Sequence, residues 1–148
     1  MPTPTIQYRE TRSITRRQIL ALYKANNWSS ADKPTELSNG LLNSHTLITA
    51  WHNNQLVGLG NALSDGHLVA YFPHLLVHPN YHRQGIGQEI VNRLLAKYKG
   101  FHQCILVAES QAIPFYKRCG FERAGTTQSM WIYSGTDHHG ITNSTKEA

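Results

Sequence analysis

Apolar residues recur along this chain with two different periods, and the switches between them divide it into elements. After Ser13-Ile14-Thr15, the residues Ile19, Leu20, Leu22 and Tyr23 recur at helical spacing and predict an amphipathic helix. Residues 28–44 are polar, contain Pro34 and Gly40, and read as a loop enclosing a short helix over 35–42. The apolar runs 46–51 and 55–62 flank His52-Asn53-Asn54 and predict a β-hairpin. Ser64-Asp65-Gly66 then turns into a long strand from His67 to Val77, in which Pro73 removes one ladder donor and predicts a local bulge. Ile86, Ile90, Val91, Leu94, Leu95 and Tyr98 mark a second amphipathic helix, with Gln88, Glu89, Asn92, Arg93 and Lys97 between them. A strand over 101–107, a helix over 111–119 and a last strand over 129–133 follow, and residues 5–9 read as an edge strand. The order is βααβββαβαβ, an α/β pattern. Residues 1–133 are expected to form one domain, and residues 134–148, polar and glycine-containing, a frayed tail.

Chemistry concentrates where the long strand ends. Leu75-Leu76-Val77 runs through His78-Pro79-Asn80-Tyr81 into His82-Arg83-Gln84-Gly85-Ile86-Gly87, and the second amphipathic helix opens there. The first N–H groups of a helix have no intrahelical partners and lie at its positive end. Gly85 and Gly87 lack Cβ, so a bulky anion can approach that backbone closely. A pyrophosphate fits this geometry, and an ordinary strand–helix turn is the competing reading of these residues alone. The pattern G-x-x-x-x-G-K-[ST] is missing, which excludes a P-loop. In the dinucleotide fingerprint the third glycine would fall at Ile90, and the 78–84 loop is too long for that turn.

A second constellation lies at 108–121, Ala-Glu-Ser-Gln-Ala-Ile-Pro-Phe-Tyr-Lys-Arg-Cys-Gly-Phe. Pro114 suits a first helical turn, while Gly120 is placed to end the helix. Taken with the x-x-x-G-x-G turn, this stretch resembles the GCN5-related N-acetyltransferases. Their coenzyme A loop reads [Q/R]-x-x-G-x-[G/A], and a short helix ending A-x-x-x-Y-x-x-x-G-F follows it. Ala112, Tyr116, Gly120 and Phe121 match the second motif. Two positions depart: His82 stands for the Gln or Arg of the loop, and Glu109 stands where many members carry Asn. The resemblance covers residues 5–133 and is nearest to the small single-domain members. It implies that family's fold, a mixed, mostly antiparallel sheet flanked by helices.

The resemblance also implies acetyl-CoA as cosubstrate and direct transfer of its acetyl group to an amine of a small molecule or protein. On this reading the pantetheine arm pairs with the backbone of Leu75, Leu76 and Val77. The pyrophosphate meets the backbone of His82, Arg83, Gln84, Gly85, Ile86, Gly87 and Gln88, and Phe115 borders the cofactor. Tyr116 is the expected general acid, since a phenol can protonate a comparably basic thiolate. Members often draw a general base from the strand before the loop, which here offers His74 and His78, with Asp65 just ahead of it. Tyr23, Trp28, Tyr71 and Phe72 are candidates for an aromatic acceptor wall or for core. A non-catalytic acyl-CoA-binding module is the alternative. Dimers are common in the family, so a homodimer is one expected state.

Composition narrows this only a little. The formal net charge of +5 suits an anionic ligand, but the basic residues are scattered and form no nucleic-acid-binding motif. No apolar run approaches a membrane span, and Met1-Pro-Thr-Pro-Thr lacks a secretory signature, so a cytoplasmic protein is expected. Cys104 and Cys119 read as free thiols. His138-His139 has no acidic or cysteine partner at ligand spacing, and no metal is expected.

Overall fold

The computed structural model describes residues 4–137. In chain order the elements are β1 (Gln7–Glu10), α1 (Arg16–Ala25), α2 (Pro34–Leu42), β2 (Thr46–His52), β3 (Gln55–Ser64), β4 (Val69–Tyr71), β5 (Leu75–Val77), α3 (Ile86–Lys97), β6 (Gln103–Ile105) and α4 (Ile113–Arg118). Single 3-10 turns lie at Ser29–Asp32, Pro79–Tyr81 and Ser110–Ala112. Local chemistry sets the helix ends. Thr15 Oγ1 accepts the Gln18 N–H at 3.1 Å while the Gln18 side chain accepts the Thr15 N–H at 2.9 Å, a reciprocal cap that starts α1. Pro34 occupies the first turn of α2, where its missing N–H is harmless.

β1, β2 and β3 pair antiparallel, β3 then pairs with both β4 and β5, and β4 runs parallel to β6. Strand alternation sends side chains to two layers. On one face Leu47, Trp51, Leu59 and Leu76 meet Ile19, Leu22 and Tyr23 of α1 and Leu37 and Leu41 of α2. On the other face Ile48, Ala50, Val57, Ala70 and Phe72 meet Ile86, Ile90 and Leu94 of α3 and Tyr98 just after it. The second layer is thin because β3 carries glycine at its contact points. A Cβ on Gly60 would lie 2.7 Å from Ile90 Cγ2, and one on Gly58 would lie 3.2 Å from Ile90 Cδ1. Helix α3 therefore rests on the backbone of β3.

The long strand expected over 67–77 is two strands. Leu63 pairs with Tyr71 and Gly60 with Leu75, so two residues of β3, Asn61 and Ala62, stand opposite three, Phe72, Pro73 and His74. This is a β-bulge, and its extra residue reverses the facing of everything beyond it. Phe72 packs in the α3 layer, whereas His74 and Leu76 turn toward α1.

The strand expected over 129–133 does not form, so the whole described order is βαα, four strands, then αβα. Residues 122–132 are exposed, with Met130 and Ile132 standing in solvent. Beyond them the chain is held elsewhere. Asp137 accepts the Ser29 N–H at 2.8 Å and the Ser29 hydroxyl at 3.0 Å, and Lys33 Nζ donates to Ser134 Oγ at 3.1 Å. Apolar alternation marks a segment able to pair but does not bring a partner edge beside it. Residues 134–137 of the expected tail are thus tied to the Ser29–Asp32 turn, and the rest of that tail lies outside the described residues.

Candidate active site

The bulge opens the sheet. The last bond between the parallel strands runs from Phe72 N–H to Ile105 O at 3.0 Å, after which β5 follows β3 alone. Asn61 N–H donates to His74 O at 3.1 Å and His78 N–H to Val57 O at 2.7 Å, which directs residues 74, 76 and 78 toward β3. By the alternation of an antiparallel ladder, the N–H and C=O groups of Leu75 and Val77 point the other way. No strand among the described residues pairs with that edge. An extended ligand carrying amides can pair there as a strand would.

The loop that follows leaves its backbone accessible at the start of α3. Gly85 caps α3 with φ +82° and no side-chain cap, and a Cβ there would meet nothing within 4 Å. Arg83 adopts φ +63°, a left-handed conformation that costs a non-glycine residue energy. The first turn of α3 leaves its N–H groups unpaired at the positive end of the helix. Gly87 packs beneath the Phe115 ring, with a built Cβ 3.3 Å from Phe115 Cζ. The departure at His82 has a local use: its Nε2 donates to Val77 O at 2.8 Å, tying the end of β5 to the loop.

Tyr116 lies in α4, its ring edge-to-face with Phe115 at 5.1 Å and Phe121 at 6.0 Å. Phe121 also packs against Phe72 at 6.2 Å, which links α4 to the bulge. Burial, helped by the nearby Cys119, pushes the Tyr116 phenol up to about 12, so it remains protonated near neutrality. Its hydroxyl has no hydrogen-bond partner among the described residues, and it is not sealed from solvent. Gly120 at φ +102° ends the helix, and Phe121 N–H bonds back to Tyr116 O at 3.0 Å. Glu109 is used as a cap, accepting the Gln111 N–H at 2.9 Å and the Ser110 hydroxyl at 3.0 Å.

His74 sits within the bulge. Its Nδ1 meets the Tyr23 hydroxyl at 2.7 Å, and the Trp28 ring stands edge-on at 5.2 Å. Burial lowers its pKa to about 4, outweighing the raising effect of the Asp137 carboxylate. An imidazole that weakly basic is poorly matched to general-base work at neutral pH. Asp65 accepts three backbone N–H groups of its own turn, which hold its carboxyl down to about 2, and His78 Nδ1 accepts the Asn80 N–H at 3.1 Å. Of the four aromatic candidates, Tyr23 and Trp28 gather around His74, while Phe72 joins the opposite layer and Tyr71 is exposed.

Sequence reasoning missed Asn61, which accepts the His74 N–H on Oδ1 at 3.0 Å and donates through Nδ2 to Ser44 at 2.9 Å. Its signal was a polar side chain within the apolar run of β3. The other described histidines with side-chain bonds are similarly engaged one by one: His45 with Tyr98 and His52 with Tyr81. Cys104 and Cys119 are free, each thiol raised by burial. His138 and His139 lie outside the described residues.

A protein-family model describing an acetyltransferase (GNAT) domain matches residues 43–123. The chloroplastic GCN5-related N-acetyltransferase 3 of Arabidopsis thaliana is 40% identical over 86 residues, which are 55% of this chain and 36% of that protein. The chain thus spans only about a third of that curated relative's length. Among solved structures, a GNAT family acetyltransferase of Streptococcus pneumoniae superposes with a TM-score of 0.76 at 28% identity, covering 87% of this chain and 98% of that one. An aminoglycoside N-acetyltransferase solved in complex with CoA shares the fold, with a TM-score of 0.65 at 13% identity over 88% of this chain and 95% of its own.

Proposed function

The chain belongs to the GNAT acetyltransferase family, and on that premise we propose that it is an acetyl-CoA-dependent N-acetyltransferase acting by direct transfer within a ternary complex. The edge left by Leu75 and the Val77 N–H receives the pantetheine amides, while the Val77 carbonyl is engaged by His82. Backbone N–H groups of residues 83–88 hold the pyrophosphate, with a charge-assisted contact from Arg83. On this reading the cofactor has a direction. Its phosphates lie beyond Val77, so its thioester lies toward Pro73 and His74. At ~3.3 Å per residue, β5 spans roughly 10 Å between the two ends.

Transfer requires a neutral amine, a stabilised oxyanion and a proton for the departing thiolate. Tyr116 supplies the proton. The observation that carries this reading is its hydroxyl: without a partner among the described residues, not sealed from solvent, and borne on a ring packed between Phe115 and Phe121. Burial keeps the phenol protonated near neutrality, so a proton stands ready as negative charge develops on sulfur. His74 stands at the same end of the slot, facing the α1 side with Tyr23 and Trp28.

The test is a panel of amines, amino acids and peptides with acetyl-CoA, monitored by release of free thiol. Turnover with at least one acceptor is expected. Thermal stabilisation by acetyl-CoA with no thiol release for any acceptor would mark a non-catalytic acyl-CoA-binding module instead.

A further inference from the structure

Tyr23 is fully buried at 0% exposure, and its hydroxyl makes a single hydrogen bond among the described residues, to His74 Nδ1 at 2.7 Å. That bond has two assignments. If the imidazole donated from Nδ1, the phenolic hydrogen would have no acceptor, in a core that excludes water. Folded proteins avoid such orphaned donors. If Tyr23 donates, its hydrogen meets the Nδ1 lone pair, and the neutral ring carries its own proton on Nε2. Tyr23 is therefore the donor.

Nε2 is then a donor, and it has no partner. Ser30 Oγ is the buried polar side-chain atom left unpaired among the described residues, so the unpaired His74 Nε2 is not sealed from solvent. Two aromatic rings and a backbone clamp hold the residue in place. Tyr23 and Trp28 pack at 5.5 and 5.2 Å, and Asn61 clamps both the N–H and the C=O of His74 at 3.0 and 3.1 Å. A fixed N–H beside a bulge, at the thioester end of β5, is placed as a preorganised electrostatic donor.

We propose that Tyr23 locks His74 as the Nε2–H tautomer and that this N–H donates to the acyl carbonyl oxygen as it becomes negative. The inference rests on the acetyltransferase reading. The amine lone pair forms the C–N bond, and the carbonyl π pair moves to oxygen, where His74 Nε2–H stabilises it. Collapse restores C=O and breaks C–S. The bonding pair leaves on sulfur and takes the Tyr116 proton, the surplus proton on nitrogen passes to water, and solvent reprotonates Tyr116. His74 keeps its proton throughout and Tyr23 is a positioning residue. The ionisable groups acting on the ring are Tyr23 from α1 and Asp137 from beyond residue 132, and burial keeps it neutral against the latter.

Long-range 1H–15N correlation NMR on 15N-histidine-labelled protein reads the tautomer without any substrate. Expected are an unprotonated Nδ1, a protonated Nε2 and no titration of His74 across roughly pH 5 to 8. Tyr23→Phe should give a mixture of tautomers. A protonated Nδ1 in the wild type overturns the assignment. For catalysis, His74→Gln keeps an N–H donor without a basic nitrogen, whereas His74→Ala keeps neither. His74→Ala should lower kcat about a hundredfold and His74→Gln should recover most of it. Tyr23→Phe should lower kcat about tenfold with KM for acetyl-CoA within about twofold of wild type. Equal losses in the Gln and Ala variants, with both folded by circular dichroism, overturn the donor role. If no amine is acetylated at all, the acetyltransferase reading fails, while the NMR measurement still decides the tautomer.

Discussion

Gly87 lies directly beneath the ring of Phe115: a Cβ built on the glycine would come 3.3 Å from Phe115 Cζ and 3.8 Å from Val77 Cγ2. The first turn of α3, the end of β5 and α4 therefore meet at one small residue. The glycine turn and the helix that bears Tyr116 share a packed contact, which ties the proposed phosphate cradle to the proposed acid. Two glycines in this turn do different jobs. Gly87 makes room for a ring, whereas Gly85 stands in open space and supplies a positive φ.

Gly85→Asp tests the cradle. It imposes a side chain at φ +82° and sets a carboxylate where the pyrophosphate is to sit. At a hundred times Kd, acetyl-CoA should stabilise the wild type by about 2.7 kcal/mol, visible as a rise in Tm. The variant should show no such rise. Gly87→Val, which must displace the Phe115 ring, should bind acetyl-CoA about tenfold more weakly by isothermal calorimetry. Normal binding by a folded Gly85→Asp protein would remove the loop from the cofactor site.

Tyr116→Phe keeps the ring between Phe115 and Phe121 but removes its transferable proton. Acetyl-CoA affinity should change little while kcat falls by roughly ten- to a thousandfold. The loss should shrink for an acyl donor whose thiol is more acidic. With a phenol held up at about 12, turnover should show no alkaline limb from Tyr116 near neutrality. Equal wild-type and Phe-variant rates, measured where chemistry limits turnover, would exclude it as the acid.

His74 makes stability depend on pH. Its folded pKa is about 4 against an ordinary 6.5, so between those values the unfolded chain binds more protons and stability rises with pH. The contribution is fully present above the unfolded value and is lost as pH falls through the folded one. At ~1.4 kcal/mol per unit it reaches about 3 kcal/mol. Melting curves between about pH 4 and pH 7 should show a slope that His74→Gln flattens. Parallel curves for the two proteins would assign the slope to another group.

Gly60→Ala tests the seat of α3. The added Cβ would lie 2.7 Å from Ile90 Cγ2 and 3.1 Å from Leu94 Cδ1. Overpacking of this kind should cost about 1–3 kcal/mol in urea denaturation. Combined with Ile90→Ala, the two losses should fall short of their sum, because the second change relieves the first. Full additivity would show that the helix does not rest on that glycine.

Much of the fold is local and could be read directly. Thr15 and Gln18 cap α1 within four residues, Ile86, Ile90 and Leu94 repeat along α3, and the β2–β3 hairpin closes over a short turn. The glycine turn and the 108–121 motif are equally contiguous, and the family match spans both. Each of these depends on residues a few positions apart, so spacing and backbone chemistry suffice to specify them.

The remaining features depend on which distant groups come together. Pro73 announced a bulge, but only the register of β4 and β5 on β3 shows that it turns His74 away from Phe72 and toward α1. The Tyr23–His74 bond joins residues 51 positions apart, and the burial that comes with it lowers the basicity of the candidate base. Residues 129–133 have the alternation of a strand, yet among the described residues they form none, and the chain just beyond them is bound to Ser29 and Lys33. Sequence determines what each segment can do: its period, its caps and its conformational freedom. Burial, tautomer and strand pairing are properties of what a residue packs against, and those partners exist only once the chain has closed on itself.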